Sequence, residues 1–240
     1  MSGPVGPAGG ESPLVLALDT GDLRQALDWS LAAGEAAGMV KVGLELFAAD
    51  GPAAVAALAA QGRRVMLDLK LHDIPATVAG AVRMAERAGA ELVTVHALGG
   101  PAMLTAAARA AGGCRVAAVT VLTSAGPGEL AAAGLPPAEE AVPRLAELAV
   151  ATGCQALVCS PLEAGSLRGL LGPGVELLCP GVRPSHARWD GADDQARVAT
   201  PAAAMRAGAS RIVVGRPITR AADVGAAARA VRDEALAAAR

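Results

Sequence analysis

Eight short apolar runs recur along the chain: 14–19 (LVLALD), 39–43 (MVKVG), 64–70 (RVMLDLK), 91–97 (ELVTVHA), 115–122 (RVAAVTVL), 156–160 (ALVCS), 176–182 (ELLCPGV) and 211–215 (RIVVG). Their length and branched side chains read as buried strands. Between them lie segments of Ala and Leu mixed with Arg and Glu that read as helices, roughly 22–37, 52–61, 76–89, 101–111, 138–152, 161–171, 201–208 and 221–238. Pro75, Pro101, Pro161 and Pro201 suit first-turn positions, where a missing N–H costs nothing. Strand and helix alternating eight times predict a parallel sheet covered on both faces. Eight units in 240 residues match the α/β class and the closed (β/α)8 TIM barrel, typically about 250 residues long. An open doubly wound sheet would normally carry a Gly-rich fingerprint after its first strand, and Asp19-Thr20-Gly21-Asp22 stands there instead. The pattern predicts one catalytic domain over 14–240, preceded by a flexible Gly/Pro tail over 1–13. Two long connections, 123–137 and 183–200, follow the fifth and seventh runs. The second is polar and lid-like, and it holds Trp189, His186 and the acidic pair Asp193-Asp194.

Composition narrows the function classes. Hydrophobic residues make up 53% of the chain, with one Phe, two Trp and no Tyr. The core must therefore be aliphatic, and the aromatic platforms that stack single-stranded nucleic acid are lacking. With a net charge of −2, this argues against a nucleic-acid partner. No apolar run approaches the length of a membrane span, and the N-terminus lacks the basic and apolar regions of a signal peptide. Four cysteines without paired-ligand spacing read as buried reduced thiols, which points to the cytoplasm.

The chemistry is expected at the C-terminal ends of the strands, which converge on one mouth in a barrel. Only Lys41 and Lys70 among the 21 basic residues are lysine. Arginine stays protonated, whereas lysine can give up a proton. Asp68 and Lys70 are two apart and so share one side of a strand. Lys41 comes from the preceding strand, and Asp73 follows in the loop. Such a cluster reads either as a structural ion-pair network or as a reaction centre. Arg183 and Gly215-Arg216 end strands seven and eight, the corner where barrels frequently bind phosphate, and arginine forks match phosphate oxygens. A phosphorylated small-molecule substrate is expected. His72 and His96 read as hydrogen-bonded structural residues, and no set of residues has convincing metal-ligand spacing.

The segments LALD (16–19), KVGLELF (41–47), DLKLHDIPATV (68–78), VTVLTS (119–124), VCS (158–160), PGVRP (180–184), DQ (194–195) and GRPIT (215–219) resemble the bacterial-type branch of the orotidine 5'-phosphate decarboxylase family. The resemblance implies conversion of orotidine 5'-monophosphate to uridine 5'-monophosphate and CO2, the last step of de novo pyrimidine synthesis. It implies no metal or organic cofactor, and a homodimer with shared active sites. In such enzymes Lys70 would donate the proton to C6, and Lys41, Asp68 and Asp73 would complete the charged array. Asp73 and Thr77 would reach the neighbouring subunit's site. Asp19 and Lys41 would meet the ribose hydroxyls, and Thr123 would lie near the ribose or base. Arg183, Gln195, Gly215 and Arg216 would hold the phosphate. The chain departs from the family at Leu71, where an aromatic is common, and in a loop 183–200 longer than expected.

Three other readings stand beside this one. Magnesium-dependent phosphosugar decarboxylases and synthases of the same barrel group share the DxKxxD pattern but resemble one another in carrying a glutamate where this chain has Lys41. A Schiff-base aldolase would use Lys70 as nucleophile. A catalytically inactive nucleotide-binding barrel would keep the fold alone.

Overall fold

The computed structural model describes residues 11–184 and 199–238. Eight parallel strands close a barrel in sequence order: β1 (Leu14–Ala17), β2 (Met39–Val42), β3 (Val65–Leu71), β4 (Leu92–His96), β5 (Arg115–Val119), β6 (Ala156–Val158), β7 (Glu176–Cys179) and β8 (Arg211–Val214). Pairing of Val15 with Val213 seals the seam between first and last strands. The strands end one to three residues earlier than the apolar runs predict, except β3, because the ladder stops where the chain turns over the barrel mouth.

Alternate side chains decide inside from outside. Val15, Met39, Met66, Leu92, Ala117, Leu178 and Val213 fill the barrel interior. Their neighbours, such as Leu16, Val40, Leu67, Val93 and Leu177, face the helices and join one continuous outer core. Eight helices match the predicted segments: α1 (Leu23–Ala33), α3 (Pro52–Ala60), α4 (Pro75–Arg87), α5 (Gly100–Ala110), α7 (Ala138–Ala151), α8 (Ala164–Leu171), α9 (Pro201–Arg206) and α11 (Val224–Ala238). Three more sit inside connections: α2 (Leu44–Asp50), α6 (Pro127–Ala132) and α10 (Arg216–Thr219). The expected loop 123–137 thus holds a helix, started by Pro127 and by Glu129 accepting from the Gly126 N–H at 2.7 Å. Pro75 and Pro201 open their helices and Pro101 stands second in its own, but Pro161 lies in a turn before α8.

Residues 1–10 of the expected tail lie outside the described residues, and the barrel floor corrects the reading for residues 11–13. Ser12 is buried, and its hydroxyl donates to the Ala36 carbonyl at 2.6 Å. Glu11 joins a closed six-membered ring of alternating charge at the strand starts, in the order Glu11, Arg64, Glu91, Arg115, Glu176, Arg211 and back to Glu11. Arg211 and Glu176 are both 1% exposed, with Nε to Oε1 at 2.6 Å. Each charge there has two opposite neighbours, the condition under which buried ions are tolerated. Residues 11–13 are therefore part of the barrel.

Candidate active site

The carboxyl ends of the strands open into a cavity of about 250 Å³, below the roughly 300–1,000 Å³ of drug-sized ligand sites. Its volume gives room for a small molecule rather than a polymer segment. Asp19, Lys41, Asp68, Lys70, Thr123, Arg183, Gly215 and Arg216 all line it.

The four charged residues form a row of alternating sign. Lys41 Nζ donates to Asp19 Oδ1 at 2.9 Å and lies 3.6 Å from Asp68 Oδ2. Lys70 Nζ donates to Asp68 Oδ1 at 2.9 Å. Burial alone would pull the Lys41 ammonium down, but the Asp68 and Asp19 carboxylates outweigh it and hold its pKa above the ordinary lysine value. Burial would likewise push Asp68 up, yet Lys41, Lys70 and the Thr94 hydroxyl together keep it below the usual carboxylate range. Both groups therefore stay charged at neutral pH.

Simple alternation placed Asp68 and Lys70 on one side, and they do meet, but β3 is not regular. Leu67 pairs with Val93, and the next partner of β4, Val95, is Leu71 rather than Leu69. Two extra residues bulge out of the ladder there. Lys70 adopts φ +51°, a left-handed backbone found at no other non-glycine position among the described residues. That conformation costs about 1–2 kcal/mol. Its N–H leaves the ladder and donates to Thr94 Oγ1 at 2.9 Å.

Two residues that sequence reasoning passed over build this geometry. Thr94, fully buried on β4, also donates to Asp68 Oδ1 at 2.9 Å. Its signal was available: it falls on the inward parity of β4, between Leu92 and His96. Gly43 leaves the room the row needs, because a Cβ there would stand 2.9 Å from Lys41 Nζ and 3.0 Å from Asp19 Oδ1.

Asp73 and Thr77 are exposed and do not line the cavity. Asp73 Oδ1 accepts from the Ile74 N–H at 2.6 Å, at the start of α4. His72 and His96 stack with ring centroids 5.6 Å apart, and His96 Nδ1 accepts from the Leu98 N–H at 3.3 Å. Burial, then His72 and Lys70, hold the His96 imidazole below its ordinary pKa. Gln195, together with His186, Trp189, Asp193 and Asp194, lies outside the described residues. The two ends of that segment are joined beside the cavity, where Arg183 N–H donates to the Ala199 carbonyl at 2.9 Å.

Comparison with known proteins adds independent support. The family model for orotidine 5'-phosphate decarboxylase / HUMPS matches residues 12–231. The orotidine 5'-phosphate decarboxylase of Anaeromyxobacter sp. (strain K) is 57% identical, over 90% of this chain and 94% of that protein. The one from Thermobifida fusca is 52% identical, over 93% and 95%. The crystal structure of orotidine 5'-phosphate decarboxylase from Lactobacillus acidophilus superposes with a TM-score of 0.82 at 35% identity, covering 93% of this chain and 99% of that one. The motifs, the closed barrel and these matches agree, and the chain belongs to the orotidine 5'-phosphate decarboxylase / HUMPS family.

Proposed function

We infer that the protein decarboxylates orotidine 5'-monophosphate to uridine 5'-monophosphate and CO2. The observation that carries this reading is the row Asp19–Lys41–Asp68–Lys70, lining one cavity together with Arg183 and Arg216. The phosphosugar enzymes of the same family would need a divalent cation near these carboxylates. Here the Lys41 ammonium occupies the space between Asp19 and Asp68, and its charge opposes such an ion.

The reaction leaves an electron pair on C6 when the bond to the carboxylate breaks. Lys70 supplies fixed positive charge at that carbon and then passes an ammonium proton to it, leaving a neutral amine that solvent reprotonates. Asp68 faces the departing carboxylate. Two like charges about 4 Å apart repel by about 4 kcal/mol at an effective dielectric of 20, and loss of CO2 relieves that repulsion. Enzymes lower barriers by roughly 8–23 kcal/mol, so this contribution is secondary and Asp68 acts mainly by holding Lys70. Asp19 and Lys41 meet the ribose hydroxyls, and Thr123 lies near the ribose or base. Arg183, Gly215, Arg216 and, from the segment outside the described residues, Gln195 hold the phosphate, whose binding energy organises a site remote from it.

Homodimerisation with shared sites is part of the same proposal. Asp73, Thr77 and Ile74, the last 65% exposed, stand on the surface of a single chain, available to a neighbour's site. One catalytic domain to residue 240, starting at residue 11 rather than 14, also belongs to it. No helix among the described residues is long and apolar enough to cross a membrane, and a cytoplasmic location accords with a biosynthetic role. Mixing the protein with orotidine 5'-monophosphate and following the ultraviolet absorbance tests the reading. Conversion to the uridine spectrum with CO2 release, insensitive to EDTA, is expected. An unchanged spectrum at high enzyme concentration rejects the activity.

A further inference from the structure

We propose that Thr94 is the positioning residue of the reaction centre, fixing both ends of Lys70 through one buried hydroxyl. The inference rests on the decarboxylase reading for its kinetic test, though not for its structural one. Thr94 is 0% exposed and belongs to the inward face of β4, whose preceding inward residue, Leu92, packs with Met66 and Ala117 in an apolar layer. A valine would fill the same space without the cost of burying a hydroxyl.

That hydroxyl uses both its capacities. It accepts the Lys70 backbone N–H at 2.9 Å and donates its own proton to Asp68 Oδ1 at 2.9 Å. Asp68 Oδ1 in turn accepts from Lys70 Nζ at 2.9 Å. The bonds form a closed circuit that leaves Lys70 at its backbone and returns to it at its ammonium. The backbone end is the part that needs holding, because Lys70 sits in a bulge with φ +51° and its N–H has left the regular ladder. The other end sets where the ammonium points. Thr94 touches no substrate in this scheme; it acts through Lys70 and Asp68.

Thr94→Val, of nearly equal shape, opens the circuit at two points, whereas Thr94→Ser keeps it. In Thr94→Val, kcat is expected to fall about 10–100-fold, the scale of a reacting group misplaced by up to an ångström. The affinity for uridine 5'-monophosphate should stay unchanged, and Thr94→Ser should retain activity to within about threefold. A Thr94→Val enzyme as active as wild type overturns the proposal. So does a loss shared equally by Thr94→Ser, or one matched by lost product affinity. A crystal structure of Thr94→Val reads the positioning without turnover, so it separates this proposal from the activity itself. Lys70 Nζ is expected beyond about 4 Å from Asp68, past ion-pair range. A retained 2.9 Å contact with φ of residue 70 unchanged refutes the role. Absence of turnover in the wild type would instead refute the decarboxylase reading.

Discussion

Gly43→Ala isolates the charged row from the rest of the fold. The Gly43 backbone is extended, with φ −92° and ψ −175°, so alanine fits it without strain. The added methyl, however, would lie 2.9 Å from Lys41 Nζ and 3.0 Å from Asp19 Oδ1. Ordinary non-bonded contact needs about 3.5 Å, so the ammonium or the carboxylate must retreat by about half an ångström. Opening the Lys41–Asp19 pair from 2.9 Å by that much costs about 1 kcal/mol at an effective dielectric of 20. Asp19 is half exposed, and solvent screening holds the figure to that scale. Expressed in the transition state, this is roughly fivefold in rate. If the displacement travels through Asp68 to Lys70, the loss rises towards about 100-fold. The assay is turnover of orotidine 5'-monophosphate by absorbance, with thermal unfolding in parallel. Gly169→Ala, where an added Cβ meets nothing within 4 Å, is the control and should be neutral in activity. Full activity of Gly43→Ala would refute the account of why glycine stands there. A large fall in Tm accompanying the lost activity would refute it equally, because the argument confines the damage to the site.

Lys70→Arg keeps a positive charge but removes the readily transferred proton, and turnover should nearly vanish; near-normal kcat rejects proton donation by this residue. Arg216→Ala should weaken uridine 5'-monophosphate far more than uridine, measured by calorimetric titration, and equal losses would contradict the phosphate assignment. Glu176→Gln removes a charge from the floor ring and leaves Arg211, 1% exposed, with Glu11 as its remaining acidic partner. Breaking a buried pair costs about 3–5 kcal/mol, so the denaturant midpoint should fall markedly while kcat in the folded enzyme holds; an unchanged midpoint shows that the ring contributes no net stability.

The eight-fold barrel was legible because apolar runs of strand length alternate with helical segments, and only a few topologies accept that alternation. The shared side of Asp68 and Lys70 was legible from a spacing of two, although the route the backbone takes between them was not. The bulge and the left-handed Lys70 depend on pairing with β4, and a partner strand leaves no mark on the local pattern. Asp73 and Thr77 lie in a readable motif but outside the cavity of their own chain, because a motif marks residue types and not which way the chain carries them past the mouth.

The order of the elements, the shared side of Asp68 and Lys70 and the identity of the motif residues follow from the sequence itself, since periodicity and chemistry are local properties. The tertiary structure decided the rest. It brought residues 11, 64, 91, 115, 176 and 211 into one ring, a grouping that no local pattern marks. It made Thr94 the hydrogen-bonded link between Asp68 and Lys70, and gave Gly43 its reason in one side chain of the strand it follows, Lys41, and one from beyond β1, Asp19. Barrel closure sets these distances, and closure is a property of all eight strands together.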